Sequence, residues 1–416
     1  MTTNMSLANK RARARVWLVL LAVMGGALLP LAGASAQQEG KQQRPRRVGQ
    51  PQTPQAPQKP SQAPASTEPG EEVDEGDVVR VDTQLVLVPA VVTDGAGHPV
   101  AGLRADNFRV LENGQPQVIS NFATTDAPFE VALLLDTSGS TRADVQLIRR
   151  AASLFINSLR PGDRVAIISF RSVRDERDTL ATVEVNTPLT SDRARLQMAL
   201  ESVGASNGTP FYDALERIGD DIFNEPPREE VRGRRAVVAL TDGVDSSSDA
   251  EFAEARAKLV RAGVTCYFVQ VNTEDYVEER LMRDCNDFGT LRLSRTQLQR
   301  YRRIFVPHAP AGDYNSFCQM GQFERMKISR DLYNLARTEM AELARSSGGR
   351  AFEAGDLREA RAAFAQVAEE IGTQYSLGYY PTNKTRDGGF RTIRVELKGV
   401  ARGAQVRARE GYYATK

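Results

Sequence analysis

Histidine is scarce in this chain. Its 416 residues include two histidines, His98 and His308, and both lie in sequence typical of loops. A serine–histidine triad and a histidine-ligated zinc site are therefore disfavoured. The chain also has no phosphate-binding glycine loop, and no Gly-x-Ser-x-Gly elbow surrounds Ser138. These absences disfavour the common hydrolase and phosphotransferase sites, and we expect the chain not to be an enzyme.

Cysteine is also rare, with three residues in the whole chain. Cys266 lies within an apolar, strand-like run, which is typical of a buried free thiol. Cys285 and Cys318 flank an irregular segment, and an oxidising compartment would allow them to form a disulfide. The sequence leaves open whether these two are bridged.

The sequence has no strong charge of either sign, because its formal net charge is +1. Without a basic surplus we expect no nucleic-acid partner. The length exceeds the roughly 150 residues of an average domain, so more than one domain is expected. A hydrophobic fraction of 41% is enough to build buried cores.

The N-terminal residues have the layout of a secretory signal peptide. Lys10 and several arginines precede an apolar run that starts at Val16, and the small residues Ala34-Ser35-Ala36 follow it. This order predicts a signal peptide over residues 1–36 and an exported protein, periplasmic or extracellular. The alternative is an uncleaved anchor helix, which would attach the chain to a membrane.

Two β-rich stretches flank the middle of the chain. After a Gln/Pro-rich segment at 37–77, whose composition predicts a disordered linker, residues 78–124 show strand-like runs. The Asn113-Gly114 pair within them is a strong hairpin signal. Residues 375–416 alternate like half-buried strands. Neither stretch is large enough to be stable alone, so we predict that both form one β-sandwich.

Residues 129–372 alternate between apolar strands and amphipathic helices. Apolar strand runs occur at 131–135, 165–170, 237–240 and 264–271. This pattern predicts an α/β fold with a doubly wound, mostly parallel sheet. The pattern of residues 179–189 predicts a further strand, which would lie at an antiparallel edge of this sheet. Residues 274–330 show no clear periodicity, and we expect a solvated insertion there.

The first apolar strand of this region ends in a distinctive pattern. Asp136 follows the strand directly, and hydroxyl side chains follow at Ser138 and Ser140. Parallel sheets bind ligands beyond the carboxyl ends of their strands, which is where these residues are expected. Carboxylate and hydroxyl oxygens suit magnesium, calcium or manganese rather than zinc or copper.

Two other segments supply similar donors. Thr209 immediately precedes an amphipathic helix in the sequence Gly-Thr-Pro-Phe-Tyr-Asp-Ala-Leu. Asp242 follows another apolar strand in the sequence Leu-Thr-Asp-Gly. Because a hard cation takes about six oxygen ligands, these segments could complete a site that begins at Asp136.

Together the three segments resemble the metal-ion-dependent adhesion site of the von Willebrand factor type A domain. The resemblance covers residues 129–372, apart from the 274–330 insertion, and implies a six-stranded, mostly parallel sheet. It also implies a bound divalent cation, magnesium with manganese or calcium as alternatives. The residues implied as ligands are Asp136, Ser138, Ser140, Thr209 and Asp242. From residue 78 onwards the arrangement is similar to that of exported bacterial proteins related to this domain.

The charge of such a site favours a binding role. Two carboxylates neutralise a divalent cation, and hydroxyl ligands add no further negative charge. We therefore expect capture of an exposed Asp or Glu carboxylate on a protein partner. The alternatives are a metal that only stabilises its loops in an envelope scaffold protein, or a magnesium-dependent hydrolase. A membrane contact is expected only if the signal segment stays uncleaved.

Overall fold

The computed structural model describes residues 84–124, 127–139, 145–174, 179–281 and 293–415. These residues belong to one compact unit, which spans residues 78–416. The predicted signal peptide at 1–36 and the predicted linker at 37–77 lie outside the described residues. Ser140 and Cys285 also lie outside them.

The connections between the strands of the described residues differ widely in length, from a single residue to a long helical stretch. Their bounds are β1 Val86–Thr93, β2 Phe108–Glu112, β3 Gln115–Gln117, β4 Ile119–Ala123, β5 Glu130–Leu135, β6 Arg164–Arg174, β7 Thr179–Thr190, β8 Arg235–Thr241, β9 Thr265–Val271, β10 Arg350–Ala354, β11 Tyr375–Tyr379, β12 Phe390–Leu397, β13 Gln405–Ala408 and β14 Gly411–Tyr413.

The α-helices lie between the middle strands. Their bounds are α1 Val145–Ser158, α2 Arg193–Ser202, α3 Phe211–Arg217, α4 Phe252–Ala262, α5 Glu274–Leu281, α6 Arg295–Phe305, α7 Gln322–Ser347 and α8 Leu357–Gly372. Within the described ranges, no helix combines the length and the apolarity needed to span a bilayer.

A six-stranded sheet forms the centre of the unit, in the order β10-β9-β8-β5-β6-β7. All neighbouring pairs are parallel except β6 and β7, which are antiparallel at the edge. The strand predicted at 179–189 is this edge strand. Every residue of β5 and of β8 is buried, as expected for central strands covered on both faces.

The two faces of the sheet carry separate hydrophobic cores. Val131, Leu133 and Leu135 of β5 pack in a core with residues of α1, α2 and α8. Ala132 and Leu134, which point the other way, pack in a core with residues of α3, α4 and α7. Each fully buried leucine contributes roughly 1.5–3 kcal/mol, so this strand is a main source of stability.

The strands near both chain ends form two four-stranded antiparallel sheets, in the orders β13-β1-β11-β4 and β14-β12-β2-β3. One hydrophobic core contains side chains from both sheets, including Val88, Val110, Leu377 and Ile393. The predicted hairpin joins β2 to β3. The predicted fold class is confirmed: a mostly parallel α/β sheet is accompanied by antiparallel strands from both flanks.

The expectation of an irregular, solvated segment at 274–330 was wrong. Within this segment the described residues, 274–281 and 293–330, form α5, α6 and the first part of α7, which we call the helical insertion. It has its own core, in which Val277, Leu298, Tyr301 and Ile328 are buried. Of the arginines that suggested a solvated surface, Arg300 is 3% exposed and pairs with Asp245, whereas the Arg303 side chain is 51% exposed and pairs with Glu251. Periodicity missed α5 and α6 because these two short helices bury few side chains.

Glu130 holds together the amino ends of three central strands. Its carboxylate accepts hydrogen bonds from Arg164 of β6 at 2.7 Å and from Arg235 of β8 at 3.0 Å. Glu130 is 1% exposed and Arg235 is 4% exposed. A carboxylate this deep in the protein is stable only because the two guanidinium groups compensate its charge.

We predict that Glu130→Ala lowers the free energy of unfolding by about 3–5 kcal/mol, because it leaves buried guanidinium groups without their anion. Urea denaturation monitored by circular dichroism measures this loss. Glu396→Ala is the matched control, since Glu396 forms an exposed pair with Arg109 and should cost at most about 1 kcal/mol. Equal losses in the two variants would contradict the assignment.

Candidate metal centre

The carboxyl ends of β5 and β8 lie side by side. The two strands are parallel, and Leu135 is paired with Leu240 in their register. Asp136 directly follows β5, and its backbone N–H donates to the carbonyl of Leu240 at 2.9 Å. Asp242 directly follows β8. The sheet therefore places these two acidic residues at the same point of its edge.

Asp136 is held in a fixed orientation by its neighbours. Its Oδ1 accepts the backbone N–H of Ser138 at 3.0 Å, and its Oδ2 accepts the hydroxyl of Thr241 at 2.6 Å. The Thr241 hydroxyl in turn accepts the N–H of Gly243 at 2.8 Å. Asp136 is 0% exposed, so these contacts position a carboxylate that solvent does not reach.

Asp242 is oriented by a relay of two hydroxyl groups. Its Oδ2 accepts the hydroxyl of Thr273 at 2.6 Å, and its Oδ1 accepts the N–H of Val244 at 3.1 Å. The Thr273 oxygen also lies 2.7 Å from the hydroxyl of Tyr333. Because Thr273 has one hydroxyl proton and gives it to Asp242, Tyr333 must donate to Thr273.

The two carboxylates repel each other in a buried environment. Burial, and after it the negative charge of Asp242, raise the pKa of Asp136 to about 7. The hydrogen bonds from Thr241 and Ser138 oppose this rise without cancelling it. Burial together with the same Asp242 charge also raises the pKa of Tyr333. A divalent cation at this position would relieve the repulsion.

Thr209 enters the site from the loop between α2 and α3. Its N–H donates to the Ser246 hydroxyl at 2.7 Å, and the Ser246 N–H donates back to the Thr209 carbonyl at 3.0 Å. Gly208 before it fits closely, since a Cβ there would lie 3.0 Å from that of Ala181. These contacts attach the Thr209 loop to the loop that follows Asp242.

The loop that follows β5 is attached to the loop between α2 and α3, which carries Thr209. The Thr137 hydroxyl donates to the carbonyl of Gly204 at 2.6 Å, and the Ser206 N–H donates to the Thr137 carbonyl at 2.8 Å. Three loops from distant parts of the sequence thus form one rigid group at the carboxyl edge of the sheet.

A cleft of about 450 Å³ opens above these loops. Ser138, Thr209 and Asp242 line it, and Asp136 lies buried beneath. The structure therefore brings four of the five predicted ligand residues to one place. The fifth, Ser140, lies outside the described residues.

The donor chemistry of this group fits a hard cation. The converging side chains offer carboxylate and hydroxyl oxygens, and neither histidine nor cysteine is among them. Across the described ranges no cluster of three or more His, Cys, Asp or Glu residues has a metal-binding arrangement. A site built from two carboxylates and neutral hydroxyls suits magnesium, manganese or calcium better than zinc or copper.

Sequence reasoning missed several residues that support the site. Thr241 was visible because it precedes Asp242, but nothing marked Thr273 or Tyr333, which come from other elements. Asp245 is not among the missed residues: its place three residues after Asp242 favours a helix cap rather than a ligand, and it accepts the N–H of Phe211 at the start of α3 at 2.9 Å. Its other oxygen accepts Arg300 of the helical insertion at 2.5 Å.

The cysteines divide into two kinds. Cys266 is a buried free thiol, as predicted, and burial raises its pKa to about 12, which makes it unreactive. Cys318 is disulfide-bonded. Because Cys285 lies outside the described residues, the Cys285–Cys318 pairing stays a prediction.

Asp136 should make the stability of the metal-free protein depend on pH. A carboxyl whose pKa rises from 3.8 to about 7 on folding binds its proton more tightly in the folded state. Stability therefore falls as pH rises through this window, by roughly 4 kcal/mol at about 1.4 kcal/mol per pKa unit. Urea denaturation in chelator at several pH values measures the fall.

Asp136→Asn is the control for this pH dependence, because its amide stays neutral throughout and keeps a similar shape. The difference in stability between variant and parent should grow in favour of the variant as pH rises towards about 7. A difference that does not change with pH would contradict the raised pKa of Asp136.

Comparison with known proteins agrees with this geometry. Residues 131–244 match the von Willebrand factor type A domain family. Among curated proteins, no sequence matches the chain. The solved structures that match include BatB, a conserved hypothetical protein from Bacteroides thetaiotaomicron. It is 17% identical, with 59% of this chain and 100% of that chain covered and a TM-score of 0.34.

Two further solved structures match parts of the chain. A von Willebrand factor type A protein from Catenulispora acidiphila is 13% identical, with 81% of this chain and 76% of that chain covered and a TM-score of 0.38. The vWF domain of the type V pili tip protein Mfa5 from Porphyromonas gingivalis is 18% identical, with coverages of 29% and 39% and a TM-score of 0.23. All five candidate ligands fall inside residues 131–244, the part of this chain that matches the von Willebrand factor type A domain family.

Proposed function

We propose that this chain is a non-catalytic, exported module that binds a protein partner through a divalent cation. Magnesium is the cation proposed first, with manganese or calcium as alternatives. The observation that carries the proposal is the convergence of two buried carboxylates, Asp136 and Asp242, at the base of an open cleft. The proposed ligands are Asp136, Ser138, Ser140, Thr209 and Asp242.

The charges of the ligands explain why a partner would bind here. Asp136 and Asp242 together carry two negative charges, and the hydroxyls of Ser138 and Thr209 carry none. When bound, the cation would supply a positive centre that can accept one more carboxylate. In a protein partner, that carboxylate would come from an exposed Asp or Glu. It would enter through the cleft that these hydroxyls line.

The surroundings of the site favour binding over catalysis. Domains of the matched family generally act as interaction modules. The segment Gly204-Ala-Ser206-Asn-Gly208 has the letters of a nucleophile elbow, but it follows a helix rather than a strand. Ser206 is 0% exposed and its hydroxyl donates to the Gly208 carbonyl at 2.9 Å, so it is not placed to attack a substrate.

The location of the protein is part of the same proposal. The signal-peptide pattern at 1–36 supports export to the periplasm or the cell exterior, where a protein partner would present its acidic side chain. An exported module without a basic surplus has no feature that favours nucleic acid as a partner.

The binding role predicts selective capture of acidic peptides. The purified protein is immobilised and exposed to peptides that carry one Asp or Glu, alongside matched peptides with Asn or Gln. Acidic peptides should be retained in magnesium and released by chelator. Asp136→Asn and Thr209→Val should each weaken both magnesium binding and peptide retention by about tenfold or more.

Asp106→Asn is the matched control for the capture experiment, since Asp106 is exposed in the β-rich part of the chain. It should bind as the parent does. If magnesium binds but acidic and amide peptides are retained equally, the metal is structural. Turnover of phosphoester or peptide substrates that Asp136→Asn abolishes would replace binding with hydrolysis.

The hydroxyl relay to Asp242 predicts a second effect. Thr273→Val keeps the shape of the side chain but removes the hydrogen bond that orients the Asp242 carboxylate. Magnesium affinity, measured by titration calorimetry, should fall by about 10–100-fold, as for other residues that orient metal ligands.

Thr338→Val on the exposed face of α7 provides a matched control, because its hydroxyl donates only to the Asn334 carbonyl of its own helix. Its magnesium affinity should equal that of the parent. An unchanged affinity in Thr273→Val would show that Asp242 does not take part in cation binding.

A further inference from the structure

The cleft above the candidate metal centre has a second wall. On one side stand Ser138, Thr209 and Asp242, which belong to the sheet loops. On the other side stand residues of the helical insertion, among them Arg295 and Ser329. The cleft that leads to the metal centre is therefore bounded in part by the insertion.

The amino end of α6 is fastened to the metal-site loops. Ser294 caps this helix, and its hydroxyl donates to the Ser246 carbonyl at 2.6 Å. Ser246 is the residue whose hydroxyl accepts the N–H of Thr209 at 2.7 Å. Two consecutive hydrogen bonds thus fix the start of α6 relative to Thr209.

The first turn of α6 has backbone and side-chain groups that favour an anion. The N–H groups of Arg295 and Thr296 come too early in the helix to have acceptors within it. Both residues line the cleft. The turn contains no acidic residue, and its arginine side chain has no hydrogen bond or ion pair with any other described residue. A cation at the positive end of a helix is unfavourable unless a negative charge joins it.

A buried hydroxyl on the facing helix points to the same conclusion. Ser329 of α7 lines the cleft and is 1% exposed, and its Oγ has no partner among the described residues. A buried hydroxyl without a partner destabilises the fold, so this donor is suited to an acceptor supplied from outside.

We propose that the partner is an acidic peptide segment with two carboxylates that this one cleft holds at separate points. The first carboxylate reaches the metal centre. The second binds at the start of α6, where Arg295, the free N–H groups and the Ser329 hydroxyl receive it. This inference rests on the proposed function and specifies its ligand. The remaining charged group of the lining is Asp249, whose carboxylate weakens the second point.

The test compares peptides with one and two acidic residues. Labelled Gly/Ser peptides carry one Asp, or the same Asp with a Glu placed about two to six residues further, which spans roughly 7–20 Å. Fluorescence anisotropy in magnesium at low salt gives each Kd. The best two-acid peptide should bind about five- to tenfold more tightly than the one-acid peptide. Added salt should shrink this gain.

Variants assign the gain to the insertion. Arg295→Gln should leave the Kd of the one-acid peptide unchanged. It should remove most of the gain in affinity that the second acidic residue gives. Ser329→Ala should remove about half of it without lowering the melting temperature, because the lost hydroxyl has no partner. Asp249→Asn should increase it. Arg303→Gln is the control on the same helix, since Arg303 pairs with Glu251 instead of lining the cleft.

The outcomes separate this inference from the function on which it rests. If the one-acid peptide binds in magnesium but a second acid adds nothing, the second point does not exist and the proposed function stands. A gain that survives Arg295→Gln also overturns the second point. If the one-acid peptide does not bind in magnesium, the proposed function fails, and the two-point cleft fails with it.

Discussion

Repulsion between two buried carboxylates is the constraint on which the arrangement of loops at the carboxyl edge of the central sheet depends. The parallel register of β5 and β8 places Asp136 and Asp242 together, where solvent cannot screen their charges. Hydroxyl and amide donors surround both groups, and three loops are cross-linked so that these donors stay in place. A fold that served stability alone would have apolar residues here. The two carboxylates lower the stability of the metal-free fold, and a bound cation would offset this loss.

The two ends of β5 show how the same kind of residue serves two purposes. At the amino end, Glu130 is matched by Arg164 and Arg235, and the result is a closed ionic cluster that supports the sheet. At the carboxyl end, Asp136 accepts hydrogen bonds from the Ser138 N–H and the Thr241 hydroxyl, which are neutral donors that orient it. The first arrangement is complete within the described protein, and the second is suited to a ligand.

The helical insertion belongs to the site as much as the sheet loops do. Arg300 reaches the helix-capping Asp245, and Ser294 reaches the loop that holds Thr209. Tyr333, which lies just beyond the insertion in α7, reaches Asp242 through Thr273. These contacts couple α6 and α7 to the loops of Thr209 and Asp242. The insertion therefore changes an exposed edge of the sheet into a walled cleft, which restricts the shape of any partner group that enters.

The sequence by itself determined the fold class, which depends on local patterns, and it supplied the candidate ligands through the resemblance of three segments to a metal-ion-dependent adhesion site. Apolar runs alternate with amphipathic helices, and Asp136 and Asp242 each follow a buried strand directly. Only the tertiary structure decided which residues orient those ligands, since nothing in the sequence links Thr273 or Tyr333 to Asp242. It also decided the nature of residues 274–330. The short helices α5 and α6 bury few side chains each, so their stability comes from packing against other helices, which the periodicity of a single helix does not record.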